Sequence, residues 1–393
     1  MIGAVMQTLR LWLQVWVGAG LLYHYGLLLV GSVKTRTAEA MLPPQLRLAI
    51  VIPAHNEQAV IGRTVKHLLA QRYPTTLFDV HVVADHCEDD TAAAARMAGA
   101  EVHVRQDEPR GRKGYALAWV LQRLIADARH YDAFVIFDAD SLPAPDCLAE
   151  LQRKLTQGVR CIQGRHVIAN PSASLFAAVA DVDMRLNNRI RNQAKANLRL
   201  SARLMGDAMC FHRTVLADYP WMGAESLTED RDYGLYLVTQ GERVAFAPNA
   251  VSYGQSTTNW GNATPQRLRW YGGAFALQKR YIVPLAMRSV GKLDVDAFDK
   301  LLELTLPPFS TIAVLAPLVA TLRMLTRDRP VIGAAFWGAS WLFPLVGLMV
   351  ERAPSSAYRA LLIGPVYILW RFWIGLRVRL RRAPIDWVRT QHR

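Results

Sequence analysis

The hydrophobic pattern separates two apolar ends from an alternating middle. Residues 11–33 contain no Lys, Arg, Asp or Glu, and this length is enough to cross a bilayer core of about 30 Å. The pattern therefore predicts an N-terminal transmembrane helix within residues 1–33. Lys34 and Arg36 follow it, whereas only Arg10 precedes it. By the positive-inside rule, the amino terminus lies outside and the chain from residue 34 onward is cytosolic.

The C-terminal third predicts further membrane segments over residues 301–376. Residues 305–322 and 331–350 are two candidate spans, and the first is interrupted by two prolines. The run at 359–376 is short and contains an arginine, so we interpret it as an interfacial helix. A crossing helix is the open alternative. The interfacial interpretation keeps the basic tail, residues 377–393, in the cytosol, as the positive-inside rule favours.

The middle of the chain, residues 46–260, alternates between strand-like and helix-like segments. Such alternation predicts an α/β domain with a mainly parallel sheet covered by helices. A mixed apolar and basic stretch at 171–200 has helical spacing, and both a membrane-surface and a domain-surface position are open for it. The predicted segments are the strands "RLAIVIPA", "FDVHVVAD", "EVHVR" and "DAFVIFDAD" and the helices "EQAVIGRTVKHLLAQ", "DDTAAAARMAG", "KGYALAWVLQRLIADA" and "PDCLAELQRKL".

Charge and composition narrow the class of protein. The chain has 393 residues, a formal net charge of +14 and 52% hydrophobic residues, which together favour a membrane protein that handles anionic lipids or anionic substrates. The basic residues are dispersed without a nucleic-acid motif, so we do not expect a nucleic-acid partner. Four cysteines show neither metal-site nor disulfide spacing, which is typical of reduced thiols.

Carboxylates follow the predicted strands where ligands bind in parallel sheets. Asp85 ends the second strand, and Asp138 and Asp140 end the fourth. The dinucleotide fingerprint GxGxxG is missing after the first strand. Carboxylates hold phosphates through a hard divalent cation, and in extended chain Asp138 and Asp140 would project to the same side. We therefore interpret "FDADS" as a metal–diphosphate site, with a turn or helix cap as the alternative.

Six motifs occur in a characteristic order: "VIPAHNE", "VVADHCEDDT", "GRKGYALAW", "FDAD", "SLTED" and "QRLRW". In this order they resemble family 2 glycosyltransferases, and most closely the membrane-embedded branch that includes cellulose, hyaluronan and chitin-oligosaccharide synthases. The resemblance covers roughly residues 46–290. It implies a GT-A fold, a nucleotide-sugar donor, a divalent metal (Mg²⁺ or Mn²⁺) and inversion at the anomeric carbon.

The resemblance also implies roles for individual residues. Glu57 lies after the first strand, and nucleotide contact and helix opening are equally open for it. "SLTED" also matches a helix-capping pattern, and Asp207 in "LMGDAMCF" is a weaker candidate near the acceptor. The implied roles are catalytic base for Asp230; nucleotide contacts for Glu57, Asp85, Lys113 and Asp138; metal ligands for Asp138 and Asp140; and diphosphate or acceptor contacts for Gln266, Arg269 and Trp270.

Gln266, Arg269 and Trp270 share one face of a predicted interfacial helix within residues 261–300, because they are spaced at i, i+3 and i+4. We expect Arg269 to meet the diphosphate and Trp270 to face the acceptor sugar. Arg267 lies off that face, and we expect it to be an anchoring or solvated residue.

The sequence therefore predicts a multi-pass enzyme of the inner membrane with a cytosolic catalytic domain. It would transfer a hexosyl or N-acetylhexosaminyl group from a nucleotide sugar, most simply a UDP-sugar, to a glycan or lipid-linked acceptor in cell-surface or exopolysaccharide synthesis. Membrane lipids are expected partners. Two alternatives are a non-processive glycolipid glycosyltransferase and a catalytically inactive nucleotide-binding membrane protein.

Overall fold

A computed structural model describes residues 2–33, 43–109, 112–222, 224–325 and 329–380. Lys34, Arg36 and the basic tail from residue 381 onward lie outside the described residues. The strands are β1 Leu48–Ala54, β2 Phe78–Asp85, β3 Glu101–Arg105, β4 Ala133–Ile136, β5 Leu142–Pro143, β6 Cys161–Ile168, β7 Met209–His212 and β8 Val244–Gly254.

Fifteen α-helices are found in the described part of the chain. A π-helical segment, Arg185–Arg191, joins the sixth and seventh. In chain order the helices are α1 Ile2–Ser32, α2 Ile61–Leu69, α3 Thr91–Met97, α4 Lys113–Ile125, α5 Cys147–Thr156, α6 Leu175–Met184, α7 Asn192–Asn197, α8 Arg213–Asp218, α9 Glu229–Gln240, α10 Trp260–Gly291, α11 Val295–Thr305, α12 Phe309–Leu325, α13 Pro330–Val350, α14 Ser355–Ala360 and α15 Gly364–Arg379.

The chain divides into two compact units. One combines the described parts of Thr35–Ala169 and Arg199–Ser256, and the other combines those of Met1–Lys34, Asn170–Leu198 and Thr257–Ile385. The first unit differs from the predicted interval 46–260 because residues 170–198 pack with the apolar helices.

The first unit contains one eight-stranded sheet of order β3-β2-β1-β4-β7-β6-β8-β5. The predicted mainly parallel sheet covered by helices is confirmed, although β7 and β5 run antiparallel to their neighbours. Every residue of β1 except Pro53 is buried. On one face of the strand its side chains share a core with those of α2 and α5, including Val65, Leu68, Leu148 and Leu151. Burial on both faces explains the continuous rather than alternating apolar pattern of this strand.

The second unit contains helices that are long and apolar enough to cross a bilayer. Two qualify alone, over Leu11–Ser32 and Pro330–Val350, and a third span is possible if α11 and α12, which are bent by 56°, form one broken segment. The break coincides with the two prolines noted in the sequence, at positions 307 and 308. α15 is not among these candidates, and its predicted interfacial position stays a prediction. The helices indicate membrane association.

Residues 171–200 do not form an isolated surface helix. α6, the π-helical segment and α7 lie against α1, where a Cβ on Gly31 would be only 2.3 Å from the carbonyl oxygen of Ile190. Charged groups in this stretch are buried in ion pairs, since Lys195 pairs with Asp299 on α11. The mixed composition of the stretch therefore reflects paired charges within a helical bundle.

Candidate active site

The carboxyl ends of β1, β2 and β4 meet at one edge of the sheet, because these strands are parallel neighbours. Asp85 is the last residue of β2. Asp138 and Asp140 lie in the turn directly after β4. The structure thus places three of the predicted carboxylates at the edge where α/β sheets bind ligands.

Lys113 connects this edge with two other segments. It is the first residue of α4, and its Nζ donates to Asp138 Oδ1 (2.5 Å) and to the carbonyl oxygen of Gly206 (2.7 Å). Burial opposes its charge, but the nearby carboxylates of Asp138, Glu229 and Asp230 outweigh burial and raise the pKa of Lys113. The side chain is therefore a fixed ammonium group at the centre of the site.

Gly206 lies beside both Asp230 and Lys113. Its φ of +84° lies in the left-handed region that favours glycine. A Cβ on Gly206 would lie 3.3 Å from Asp230 Oδ2 and 3.6 Å from Lys113 Nζ. The predicted base and the predicted nucleotide contact are thus brought together around one glycine.

Asp230 lies in the first turn of α9. Burial raises its pKa, and Lys113 opposes that rise. Thr228 is the N-cap residue, as the capping alternative for "SLTED" expects, but it makes no side-chain bond to the helix, and its buried Oγ1 lacks a hydrogen-bond partner among the described residues. A half-buried carboxylate with a raised pKa suits a proton acceptor.

A buried carboxylate, Asp207, holds the turn that carries Asp138. Asp207 Oδ1 accepts from Ser141 Oγ (2.6 Å), and Oδ2 pairs with His166 Nδ1 (2.7 Å). Burial opposes the charge of Asp207, but its hydrogen bonds with His166 and Ser141 hold its pKa below the usual range. Sequence reasoning missed His166, which no motif marks, assigned no role to Ser141 although it ends "FDADS", and gave Asp207 little weight.

The other two predicted nucleotide contacts already have partners within the protein. The buried Asp85 Oδ1 accepts from an Arg105 guanidinium N–H (2.6 Å) and pairs with His86 Nδ1 (2.9 Å). Sequence reasoning did not anticipate the Arg105 ion pair. The backbone N–H of Glu57 donates to Thr91 Oγ1 (2.7 Å) in the loop that precedes α2. Nucleotide contact by either residue stays a prediction.

The donor set at the end of β4 fits a hard divalent cation. Asp138 and Asp140 are half-buried carboxylates separated by one residue, and Mg²⁺ typically binds one or two protein carboxylates together with phosphate oxygens and water. They do not belong to a closed group of three protein ligands. Over the described ranges the one such group is His81, Glu101 and His103, elsewhere on the sheet. The remaining ligands at Asp138 and Asp140 would therefore come from substrate and solvent.

Gln266, Arg269 and Trp270 lie on α10, in the unit that contains the apolar helices. Trp270 is 37% exposed. The Nε of Arg269 is buried without a hydrogen-bond partner among the described residues. The expectation for Arg267 is wrong: this residue is buried, donates to Tyr367 Oη (3.0 Å) and lies over the Trp270 ring at 4.5 Å. Tyr367 on α15 covers the face of α10 that helical spacing alone assigned to solvent.

Comparison with known proteins gives consistent matches. A family model described as "Glycosyltransferase like family 2" matches residues 43–273. A probable glycosyltransferase of Bacillus subtilis, YdaM, is 23% identical over 64% of this chain and 63% of its own length. A beta-monoglucosyldiacylglycerol synthase of Synechocystis is 24% identical over 91% of this chain and 77% of its own length.

A solved structure shows the fold over most of the chain. It is a mannosyltransferase of Pyrobaculum calidifontis in complex with GDP-Man and Mn²⁺. The TM-score is 0.57 at 16% identity, with 87% of this chain and 97% of that chain covered. The predicted GT-A fold is confirmed.

Proposed function

The chain belongs to glycosyltransferase family 2, and from that premise we propose that it transfers a single hexose from a UDP-sugar to the hydroxyl group of a membrane lipid. The gathering of Asp230, Lys113 and Asp138 around Gly206 is the observation that carries this proposal. It combines a proton acceptor with a donor-binding carboxylate and a cation, as glycosyl transfer requires.

The reaction couples one bond formed with one bond broken. The acceptor oxygen forms a bond to the anomeric carbon, and Asp230 accepts the hydroxyl proton as the attack proceeds. The bond from the anomeric carbon to the phosphate oxygen breaks, and its electron pair leaves with the nucleoside diphosphate. Attack opposite the leaving group inverts the anomeric carbon, the geometry also used by inverting glycosidases.

The leaving group needs positive charge on its own side. Asp138 and Asp140 would hold Mg²⁺ or Mn²⁺, which when bound would neutralise charge developing on the diphosphate. Lys113 is an ammonium group beside Asp138 and would contribute to the same end of the donor. Arg269 and Trp270 are proposed to contact the diphosphate and the acceptor, respectively.

Two observations favour a lipid acceptor over a growing polysaccharide. The relative that matches 91% of this chain is a synthase of a glucosylated diacylglycerol. The described helices provide two spans, or three with the bent pair, whereas a polymer channel needs a larger bundle. We propose that the enzyme works on the cytosolic face of the inner membrane as a multi-pass protein.

The test uses the full chain in lipid nanodiscs with Mg²⁺ or Mn²⁺. A panel of labelled UDP-glucose, UDP-galactose, UDP-N-acetylglucosamine and GDP-mannose is supplied with diacylglycerol, and products are identified by mass spectrometry. We expect one sugar per lipid. A ladder of longer products would instead show a processive synthase, and donor binding without any product would favour an inactive nucleotide-binding protein.

The base assignment is tested with Asp230→Asn. We expect transfer to fall by roughly 100-fold or more, in line with the contribution of general bases, while UDP binding persists. Glu225→Gln is the matched control, because Glu225 is an exposed carboxylate shortly before α9. Full activity of Asp230→Asn would refute the assignment of the base.

A further inference from the structure

Two histidines and a glutamate form a cluster on β2 and β3. Glu101 and His103 are separated by one residue and so lie on the same face of β3, and strand register places His81 opposite Glu101. One ligand atom from each residue lies within 4.8 Å of the others. We propose that this cluster is a second metal site, for a divalent transition metal of the Zn²⁺ type.

The cluster lies far from the candidate active site along the strands. His81 pairs with Glu101 at the start of β3, whereas Asp85 pairs with Arg105 at its end. Four residues of parallel strand span about 13 Å. An ion held here would therefore act separately from one held by Asp138 and Asp140.

The distances between the ligand atoms match those around a small ion. His81 Nδ1 lies 3.1 Å from His103 Nε2. Glu101 Oε2 lies 3.7 Å from His81 Nδ1, and Glu101 Oε1 lies 3.6 Å from His103 Nε2. Tetrahedral bonds of about 2.0–2.1 Å to zinc place neighbouring ligand atoms roughly 3.3 Å apart. Only small side-chain movements would be needed to bind the ion.

The tautomer of His81 is set by a hydrogen-bonded chain behind it. Tyr131 Oη donates its single proton to Asp79 Oδ2 (2.8 Å). Tyr131 Oη can therefore only accept a hydrogen bond from His81 Nε2, which lies 3.0 Å away. This means that Nε2 carries the ring proton of His81. The lone pair of His81 Nδ1 then points at the cluster. Metal-bound histidines typically donate their other N–H in this way.

Without metal, His103 Nε2 would donate a hydrogen bond to His81 Nδ1, so that both of these nitrogens have a partner. Arg129 donates to both oxygens of Glu101 (2.7 and 3.2 Å), and each oxygen keeps a second lone pair. Metal binding would move the His103 proton to Nδ1 by exchange with solvent, which reaches this half-buried ring. The exposed Glu101 provides an entry path for the ion.

The ligand chemistry indicates which ions the site would select. Two imidazoles and one carboxylate suit Zn²⁺, with water in the fourth position, and they suit Mg²⁺ poorly because it prefers oxygen ligands. β3 is the first strand in the sheet order. A bound ion would therefore fasten this edge strand to β2.

The experiment measures Zn²⁺ binding to the full chain in nanodiscs by competition with a chromogenic indicator. Mg²⁺ is added in excess so that it competes with Zn²⁺ at the proposed site of Asp138 and Asp140. We expect one tightly bound Zn²⁺ per chain, and binding weaker by on the order of 100-fold or more in His103→Asn. His130→Asn is the matched control, because His130 is an exposed histidine with φ of +48°, a conformation that asparagine tolerates.

Two further measurements decide the outcome. Co²⁺ bound in place of Zn²⁺ by histidine ligands at a low coordination number should give a visible absorption band. His103→Asn should abolish this band. Glu101→Gln, which alters an exposed ligand, should also weaken Zn²⁺ binding. If His103→Asn does not fold, Glu101→Gln tests the site in its place. Unchanged Zn²⁺ affinity in these variants, or absence of the Co²⁺ band, would show a hydrogen-bonded histidine pair and overturn the proposal.

Discussion

Replacing Lys113 by methionine tests the electrostatic centre of the site. The change removes the ammonium that donates to Asp138 and to the carbonyl of Gly206 but keeps a side chain of similar length. A hydrogen bond to a charged group contributes about 1.5–3 kcal/mol. Asp138 is 40% exposed, so solvent screens the pair. We therefore expect an effect near the lower end of that energy range, which corresponds to a loss of transfer rate of roughly 10- to 30-fold.

The pH dependence distinguishes this role from simple nucleotide contact. Lys113 lowers the pKa of Asp230, which burial raises, so removal of Lys113 raises that pKa further. A general base works when it is deprotonated, and its rate falls as the pH drops through its pKa. The acid limb of the rate profile should therefore move to higher pH in Lys113→Met.

The assay is the initial rate of sugar transfer in nanodiscs at saturating donor, measured across the acid and neutral range. Lys66→Met is the matched control, because Lys66 is an exposed lysine on α2; its rate and acid limb should equal those of the unmodified protein. An acid limb that stays in place, or moves to lower pH, while the rate of Lys113→Met falls would refute the coupling between Lys113 and Asp230.

Three further predictions follow from local contacts. Asp207→Asn weakens the support of the turn that holds Asp138, so Mg²⁺-dependent UDP binding should fall by roughly 10- to 100-fold in calorimetry; unchanged binding would contradict this role. Arg267→Ala removes a buried hydrogen bond and a cation–π contact and should lower stability by about 1–3 kcal/mol, seen as a lower Tm in detergent, whereas a solvated anchor would leave Tm unchanged. Gly31→Val would place its side chain against the Ile190 carbonyl and should reduce Tm and folded yield, while Gly26→Val, where a Cβ meets nothing within 4 Å, should do neither.

The sequence predicted strands well where their apolar runs are compact. β2 and β3 begin and end where the pattern placed them, and the carboxylates after β4 follow from strand-end position alone. α2 is shorter than predicted: it begins at Ile61 because Glu57 and its neighbours form the preceding loop. Loop geometry of this kind depends on bonds such as Glu57 N–H to Thr91, which local propensity does not contain.

The support of the site depends on strand order, which periodicity does not contain. His166 reaches Asp207 because β6 lies beside β7, and β7 lies antiparallel to β4. No spacing in the sequence indicates those neighbours. Arg267 illustrates a second limit, since a helical wheel shows which residues share a face but not which helix covers it. Here Tyr367, a hundred positions later, binds the guanidinium.

The division of the chain also matters for protein engineering. The polypeptide leaves the sheet-containing unit after Ala169 and returns at Arg199, and the helices between them bury apolar side chains such as Phe176 and Ile190 among the apolar helices. Removing the apolar helices at both ends of the protein would therefore expose the apolar side chains of residues 170–198. A water-soluble catalytic fragment would also need residues 170–198 to be replaced by a short polar linker.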